Sequence, residues 1–452
     1  MAGPAIRNFE LARVLHKAGH EVTLAAPIST DIDQQPFAVT TWMSGPNGGL
    51  RELMHEKDVI LIQGYVLEHN MYLIDSGARL VIDLYDPFHL EYVASFDHEP
   101  ESKRAPDWAT VLRAITDQMR LGDFFLCASE RQRDFWIGAL SSLNRINPET
   151  YATDPSLRGL IDLVPFGIPA EPPRKQAPAI RGVVPGIGDE DFLLLWAGGI
   201  YNWFDPLTLI LAVAQVSQQH PELKLLFMAT AHPNPDVPEM AMVTHARRLA
   251  EETEMLDRHV FFNKTWVPYE QRADWLLEAD AGVSTHQDHL ETRFSFRTRI
   301  LDYFWAELPV ICTAGDSLAD LVERERLGVT VPPCDVEAVA VALTRMMEHP
   351  EERQDQSARV REQARHLNWE VAAAPLVRYC GDPRRAPDRV GLARRTDAVP
   401  IPLRSNHDRA LLAGHVSALT TPPENLVLRA ARVWHNEGPA GVARRVKRRL
   451  RG

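Results

Sequence analysis

The segment from Ala281 to Thr313 constrains the fold most, because it alternates between strand-like, polar and helical patterns. Its apolar beginning predicts a strand that ends near Val283, and a polar loop follows. Ser295 then takes a predicted N-cap position before apolar residues at helical spacing, and Pro309 ends this helix ahead of the apolar strand Val310–Thr313. In a parallel sheet, this order puts a helix N-terminus at the carboxyl edge, where an anion is favoured. We therefore predict a parallel α/β sheet with a phosphate site.

A similar unit begins at Phe192. Apolar residues run from Phe192 to Ala197, two glycines follow, and Pro206 opens a predicted helix. Further strands are predicted at 223–228, 259–262 and 281–283. This order predicts one doubly wound domain with its ligand-facing loops along one edge.

The N-terminal part of the chain alternates in the same way. Strands are predicted at 21–25, 59–63, 80–84 and 124–128, with helical patterns between them. The chain opens in a loop at Ala2-Gly3-Pro4, a predicted helix that ends at Gly19 follows, and no strand precedes this loop. We expect either a start upstream of Met1 or a first sheet that lacks a central strand, which would leave its neighbours with an unpaired edge.

Composition and the positions of Pro and Gly divide the chain into five regions. They are a first domain (1–169), a Pro- and Gly-rich linker (170–188), a second domain (189–350), C-terminal crossover helices (351–380) and a basic, partly disordered tail (381–452).

The overall composition is that of a soluble globular protein, with 45% hydrophobic and 24% charged residues. A formal net charge of -12 argues against nonspecific nucleic-acid binding by the whole chain. The four cysteines are far apart in sequence, which indicates reduced thiols. The chain has no signal-peptide pattern and no apolar run long enough to span a bilayer. We therefore predict a cytoplasmic protein.

The segment 281–313 resembles the donor-site segment of retaining glycosyltransferases with the GT-B fold, the group 1 or family 4-like glycosyltransferases. In that family, two acidic residues bracket the start of a helix that ends in Ala-x-Gly-x-Pro-Val. Here the helix ends with Ala306-Glu307-Leu308-Pro309-Val310, so that Glu stands in place of Gly. The family register puts the second acid at Asp302 and the first at Phe294. Glu291, three residues earlier, is the nearest candidate for the first acid.

The resemblance implies an α/β protein of two Rossmann-like doubly wound domains that face each other across a cleft. The second domain would bind a nucleotide sugar, and the first would bind the acceptor. The acceptor would be a cell-envelope glycan or a lipid-linked saccharide, and the sugar would be transferred with retention of configuration. The departing diphosphate itself would take the acceptor's proton.

Three residues are candidates for catalysis: Asp86, His89 and Glu291. Asp86 and His89 lie beyond the predicted strand that ends at Leu84, where several family members have a His-Asp pair facing the acceptor and the transferred sugar. Tyr85 occupies the His position of that pair. For Asp86, the alternative is a turn cap before Pro87.

Ten residues are candidates for donor binding: Gly3, Gly199, Tyr201, Trp203, Lys264, Arg293, Ser295, Phe296, Arg297 and Asp302. The family's cation in the loop after the first strand of this domain is missing. Because a helix dipole supplies only about half a charge, Lys264 and Arg297 are our first choices for the diphosphate. The resemblance implies that Asp302 holds the nucleotide ribose. For each arginine, a solvated helix face is the alternative.

His286 and His289, with Asp288 between them, are residue types that could bind a metal ion. The loop offers no further ligand at a fixed spacing and no D-x-D motif, so we predict no metal and no other cofactor.

The C-terminal end is strongly basic and contains Arg444, Arg445, Lys447, Arg448, Arg449 and Arg451. Such a segment is a candidate for binding an anionic membrane surface, at about 1 kcal/mol per charge, on the inner face of the plasma membrane. A solubilising tail is the alternative.

Two other function classes stay open at this stage. One is a non-catalytic sugar-nucleotide or glycan-binding protein of the GT-B fold, and the other is a sugar-nucleotide epimerase or phosphorylase. A phosphorylase would need a Schiff-base lysine, and the second domain has few lysines.

Overall fold

The computed structural model describes residues 3–27, 30, 32, 34–43, 49–95, 101–230 and 240–392. The predicted basic tail, with Arg444, Arg445, Lys447, Arg448, Arg449 and Arg451, lies outside the described residues. Described residues up to 95 and from 111 to 391 form one compact unit that contains two parallel α/β domains.

The first domain consists of α1 (Gly3–Lys17), β1 (Thr23–Pro27), β2 (Ala38–Trp42), α2 (Leu50–Leu53), β3 (Val59–Gln63), α3 (Val66–His69), a 3-10 helix (Met71–Asp75), β4 (Arg79–Asp83), α4 (Phe88–Ser95), α5 (Glu101–Leu121), β5 (Phe124–Cys127), α6 (Glu130–Ser142), α7 (Pro148–Thr153) and β6 (Ile161–Leu163).

Its strands form two separate parallel sheets. Strands β3, β4, β5 and β6 pair in that order, while β1 pairs with β2 alone. No described strand joins β1 to β3.

The second domain consists of β7 (Phe192–Trp196), α8 (Pro206–Val216), β8 (Leu223–Phe227), α9 (Ala241–Glu252), β9 (Val260–Phe262), a 3-10 helix (Tyr269–Gln271), α10 (Arg272–Leu276), β10 (Ala281–Ser284), α11 (Leu290–Phe294), α12 (Thr298–Trp305), β11 (Val310–Thr313), α13 (Ser317–Glu325), β12 (Gly328–Val331) and α14 (Val336–Glu348).

Its six strands are parallel and follow the order β12, β11, β10, β7, β8, β9. The order reverses between β7 and β10, which is where ligands bind in doubly wound sheets. Both inner strands are fully buried, as their apolar sequences predict. Parallel sheets with surrounding helices in both domains confirm the predicted fold class.

The remaining helices are α15 (Pro350–Ala364), α16 (Trp369–Ala372), α17 (Ala374–Gly381) and α18 (Pro387–Leu392). They bring the chain back to the first domain. Trp369 donates its N–H to the Ile168 carbonyl at 3.1 Å, and the Tyr379 ring stacks on Phe124 with centroids 4.4 Å apart. A Cβ at Gly167 would lie 2.7 Å from the Trp369 Cα, so this close approach requires glycine.

The predicted helix start at Ser295 is wrong. Ser295 instead ends the short helix α11, because its hydroxyl donates to the Thr292 carbonyl at 3.0 Å. Backbone from Ser295 to Arg297 is then non-helical, and α12 begins at Thr298. The apolar spacing that predicted one helix therefore spans the junction of two.

The far end of α12 shows how the chain departs from the family motif. Glu307 stands where the family has glycine, and its φ is 61°, in the left-handed region that glycine adopts readily. The turn still forms, with the Leu308 N–H donating to the Tyr303 carbonyl at 2.9 Å. The backbone at this position therefore keeps the shape of the motif, although Glu replaces Gly.

Candidate active site

A cavity of about 410 Å³ lies between loops at the carboxyl ends of strands in both sheets. This volume is within the range of ligand pockets. Ten of the predicted site residues line it: Gly3, Asp86, Gly199, Tyr201, Trp203, Glu291, Ser295, Phe296, Arg297 and Asp302.

Three predicted site residues do not line this cavity. The His89 ring stacks on Phe135 with centroids 5.7 Å apart, and burial lowers the His89 pKa to about 4, so its imidazole is neutral at pH 7. Lys264 and Arg293 are exposed. Lys264 is predicted as the family's cation after the strand 259–262, and Arg293 is predicted because it lies near the helix start; the structure brings neither side chain into the cavity.

Glu291 and Arg297 form a buried ion pair on the cavity wall. The two Arg297 Nη atoms donate to the two Glu291 carboxylate oxygens at 3.0 and 2.6 Å. Arg297 also donates to the Thr292 hydroxyl at 3.3 Å and stacks over Phe204, 4.9 Å from the ring centroid. The short helix α11 thus carries Glu291 into the site. Phe294, in the family's position for the first acid, packs on Phe135 of the first domain at 4.5 Å.

Asp86 and Glu91 form a second acidic pair on the opposite wall, which belongs to the first domain. Burial, followed by the charges of Glu291 and Asp83, raises the pKa of Asp86. Burial also raises the pKa of Glu91 well above its ordinary value, and the Asp86 charge adds to this effect. The two side chains are hydrogen-bonded, so we assign the shared proton to Glu91. Sequence reasoning missed Glu91, although it lies in the first turn of α4 directly beyond Pro87.

Asp302 projects from α12 into the cavity, and its side chain keeps 39% of its surface exposed. Arg272 lies beside it, with Nε 3.3 Å from the Asp302 Oδ1 atom. The Arg272 guanidinium is stacked on Tyr269 at 3.6 Å and on Trp305 at 4.3 Å from the ring centroids. This stacking fixes the arginine, so Asp302 is held in place while one side remains open to a ligand. Nothing in the sequence around Arg272 marked it as a site residue.

The loop after β7 contributes aromatic side chains and no cation. Tyr201 and Trp203 stack with centroids 5.0 Å apart and an interplanar angle of 8°. Asp205 caps α8 by accepting the Thr208 N–H at 3.0 Å, which agrees with the predicted helix opening at Pro206. Arg299 of α12 reaches this loop and donates to the Gly199 carbonyl at 2.7 Å.

Helix α6 connects the two walls of the cavity. The Gln132 side-chain amide donates to the Tyr85 carbonyl at 2.8 Å and to the Phe294 carbonyl at 2.7 Å. Arg131 donates to the Gly315 carbonyl at 2.6 Å and to the Asp320 carboxylate at 2.5 Å. The first domain therefore contacts the α11 and α13 regions of the second through polar groups.

The described part of the chain contains neither a metal-binding cluster nor a membrane-spanning helix. No cluster of three or more His, Cys, Asp or Glu side chains there could hold a metal ion. His286 and Asp316 are buried and 3.3 Å apart, and His289 caps α11. None of the described helices is long and apolar enough to cross a bilayer.

Comparison with known families identifies the second domain. Residues 191–349 match the family model described as glycosyl transferases group 1. The second domain is therefore similar to the group 1 glycosyltransferases. This match confirms the predicted class, a retaining transferase that uses nucleotide sugars. A comparison with curated protein sequences gave no match.

Solved structures share the fold of this glycosyltransferase over most of its length. Sucrose-phosphate synthase from Thermosynechococcus elongatus has a TM-score of 0.61 at 18% identity, covering 87% of this chain and 94% of that chain. HepE from Anabaena, solved in complex with UDP and glucose, has a TM-score of 0.59 at 14% identity, covering 84% and 97%. WaaG, a glycosyltransferase involved in lipopolysaccharide biosynthesis, has a TM-score of 0.56 at 17% identity, covering 84% and 97%. These similarities establish the GT-B fold.

Proposed function

We propose that this glycosyltransferase binds a UDP-sugar in the cavity and transfers the sugar to a saccharide acceptor of the cell envelope. The observation that carries the proposal is the convergence of one open carboxylate, Asp302, with two buried arginines, Arg297 and Arg299, along one edge of α12. This arrangement suits a ribose joined to a diphosphate. UDP is the nucleotide to test first, because HepE, which shares the fold, was solved with UDP and glucose.

Each wall of the cavity would have its own part in the reaction. Asp302 would accept hydrogen bonds from the ribose hydroxyls, and the arginines would stabilise the negative charge on the departing diphosphate. The bond between the anomeric carbon and the diphosphate oxygen breaks, and a bond to the acceptor oxygen forms on the same face. The acceptor's proton passes to the diphosphate. This scheme requires no metal ion, so chelation with EDTA should leave turnover unchanged.

Asp86 and Glu291 are proposed to face the transferred sugar. Asp86 shares a proton with Glu91 through their hydrogen bond, and a carboxylate oxygen on this wall can accept a hydrogen bond from a sugar hydroxyl and orient it. The acceptor would lie against the first domain, next to Asp86. A lipid-linked saccharide is proposed because the basic residues 444–451 in the sequence would favour an anionic membrane. Sedimentation with anionic vesicles, compared with neutral ones, tests that part separately.

The proposal is tested by thermal denaturation and turnover with UDP-, GDP-, ADP- and dTDP-sugars. The variant is Asp302→Ala, and the matched control is Asp355→Ala, which removes an exposed carboxylate on α15. A UDP-sugar at 100 times its dissociation constant should add about 2.7 kcal/mol of stability. Asp302→Ala should lose this gain, and the control should keep it.

The product then decides between functions. A new glycosidic bond with the donor's anomeric configuration, accompanied by release of UDP, supports the proposal. If a sugar linked to a different nucleotide stabilises the protein instead, that nucleotide sugar is the donor. Conversion of the donor to its epimer without transfer would favour the epimerase instead.

A further inference from the structure

One hydrogen bond connects the first domain to the residues that hold Asp302. Tyr269 begins the 3-10 helix of the second domain, and its hydroxyl donates to the Glu10 Oε1 atom at 3.2 Å. Glu10 belongs to α1 of the first domain and is only 4% exposed. The two residues are 259 positions apart in the sequence, so only the folded chain brings them together.

The carboxylate of Glu10 is fixed on α1. The Arg13 Nη1 atom donates to both of its oxygens, at 3.3 and 3.1 Å. Burial raises the pKa of Glu10, and the Arg13 charge and the Tyr269 hydrogen bond act against this rise. Because a buried carboxylate has lost its hydration, removal of a donor is unfavourable. Glu10 therefore holds the hydroxyl end of the Tyr269 side chain in place.

The ring of Tyr269 contacts Arg272. The Arg272 guanidinium lies over this ring, 3.6 Å from its centroid, and the Arg272 Nη1 atom donates to the Tyr269 carbonyl at 2.8 Å. The Nε atom of the same arginine is 3.3 Å from the Asp302 Oδ1 atom. A shift of the Tyr269 ring would therefore shift the guanidinium that holds Asp302. The contacts run without a break from α1 through Tyr269 and Arg272 to Asp302.

Only the second-domain part of this chain of contacts faces the cavity between the two sheets. Tyr269, Arg272 and Asp302 line that cavity, whereas Glu10 and Arg13 line a separate cavity of about 210 Å³. A nucleotide bound at Asp302 would therefore act on Glu10 indirectly, and the Tyr269 hydroxyl provides the connection.

We propose that Tyr269 is a positioning residue that joins Asp302 to the first domain, so that α1 helps to set the affinity of the second domain for the nucleotide ribose. The inference rests on the proposed function, in which Asp302 binds the ribose hydroxyls. With the hydrogen bond to Glu10 in place, Arg272 and Asp302 are ordered before the nucleotide arrives, which lowers the entropic cost of binding. The first domain thus takes part in nucleotide binding as well as in acceptor binding.

Two nucleotides separate the ribose contact from the rest of the site. UDP has both ribose hydroxyls, whereas dideoxyuridine diphosphate lacks them and keeps the base and the diphosphate. Calorimetric titration measures both affinities for the wild type, for Tyr269→Phe and for Tyr151→Phe, a control at a tyrosine of α7 that is 57% exposed. Tyr269→Phe keeps the ring over Arg272 and removes only the hydroxyl. It should weaken UDP binding by about 3- to 10-fold, the range for one hydrogen bond, and leave binding of the dideoxy nucleotide unchanged. The control should change neither affinity.

Substitutions at Glu10 test the first-domain end of the same bond. Glu10→Leu removes the acceptor and should weaken UDP binding as far as Tyr269→Phe does, although Glu10 lies outside the cavity that holds Asp302. Glu10→Gln keeps an acceptor oxygen and should restore most of the affinity. Because both substitutions remove one hydrogen bond, Glu10→Leu/Tyr269→Phe should bind UDP no more weakly than either single variant. In turnover, KM for the UDP-sugar should rise while kcat stays unchanged.

Three outcomes would overturn this assignment. Tyr269→Phe could bind UDP as tightly as the wild type, or it could weaken UDP and the dideoxy nucleotide equally, which would mean that Tyr269 does not act through Asp302. Losses at Glu10 and Tyr269 that add would mean that the two residues do not act through their shared hydrogen bond. Asp302→Ala distinguishes these failures from failure of the proposed function. If Asp302→Ala also leaves UDP affinity unchanged, the ribose contact itself is wrong; if it weakens UDP binding and Tyr269→Phe does not, only the role of Tyr269 is wrong.

Discussion

Substituting either residue of the Glu291–Arg297 ion pair should destabilise the protein. Substituting both should lower the free energy of unfolding by less than the sum of the two single effects. The two side chains are only 1% and 5% exposed, and they are joined by hydrogen bonds of 3.0 and 2.6 Å. Glu291→Gln leaves the guanidinium buried without its carboxylate, and Arg297→Met leaves the carboxylate buried without its guanidinium. In both variants the remaining charge is the cause of the destabilisation.

The magnitude follows from this burial. Removing one member of a buried pair costs about 3–5 kcal/mol of unfolding free energy. The two single costs would add to about 6–10 kcal/mol if they were independent. In the double variant no unpaired charge remains, so we expect a total at least about 2 kcal/mol below the sum.

Urea denaturation followed by tryptophan fluorescence measures all four free energies. The matched control is the same cycle at the exposed pair Arg345–Glu352, whose side chains are 57% and 35% exposed. There the coupling should not exceed about 1 kcal/mol, because solvent screens the charges. Costs at Glu291 and Arg297 that add within about 0.5 kcal/mol would refute the reasoning, since that result means the two charges do not depend on each other.

Three further predictions concern stability. Arg7→Met should lower the free energy of unfolding by about 3–5 kcal/mol, because Arg7 and Asp83 are a fully buried ion pair with contacts of 2.6 and 3.0 Å. In thermal denaturation, Arg7→Met/Asp83→Asn should recover part of this loss. A double variant that is no more stable than Arg7→Met would contradict the prediction. The raised pKa of Glu91 means that the folded protein keeps a proton that the unfolded chain releases above about pH 4.3. Glu91 should therefore make the wild type less stable as the pH rises above this value. In urea titrations between pH 5 and 8, Glu91→Gln should lose less stability than the wild type. Parallel pH curves would argue against a buried proton. Glu307→Gly should raise the free energy of unfolding by about 0.5–1 kcal/mol, because glycine adopts the left-handed backbone conformation without strain and only the exposed ion pair with Arg361 is lost. A lower melting temperature would show that the ion pair contributes more than the backbone strain costs.

The predicted residues whose position a motif fixed lie in the cavity wall, and their roles stay predictions. Asp302 follows from the family register, and the structure brings it into the cavity. Glu291 was three residues out of register, and it reaches the cavity because α11 ends at Ser295. Lys264 is predicted from the family's cation position after the strand 259–262, and Arg293 from its nearness to the helix start. Neither observation gives the direction of a side chain, and both residues are exposed.

The missed residues share one property, which is that their role depends on residues far away in the chain. Glu91 matters because Asp86 and Glu291 lie beside it, and Glu291 comes from the other domain. Arg272 is fixed by Trp305, and Arg299 by Gly199 and Trp196. Local patterns contain no information about such contacts.

The sequence alone predicted most of the strands, the α/β class and the transferase class. It could do so because hydrophobic periodicity, glycines and prolines act over a few residues. Tertiary structure alone decided which charges are paired. Arg272, Arg297 and Arg299 look alike in sequence, yet two have carboxylate partners and one has none. The reason is physical: the energy of a charge depends on its burial and on neighbours that only the folded chain brings together.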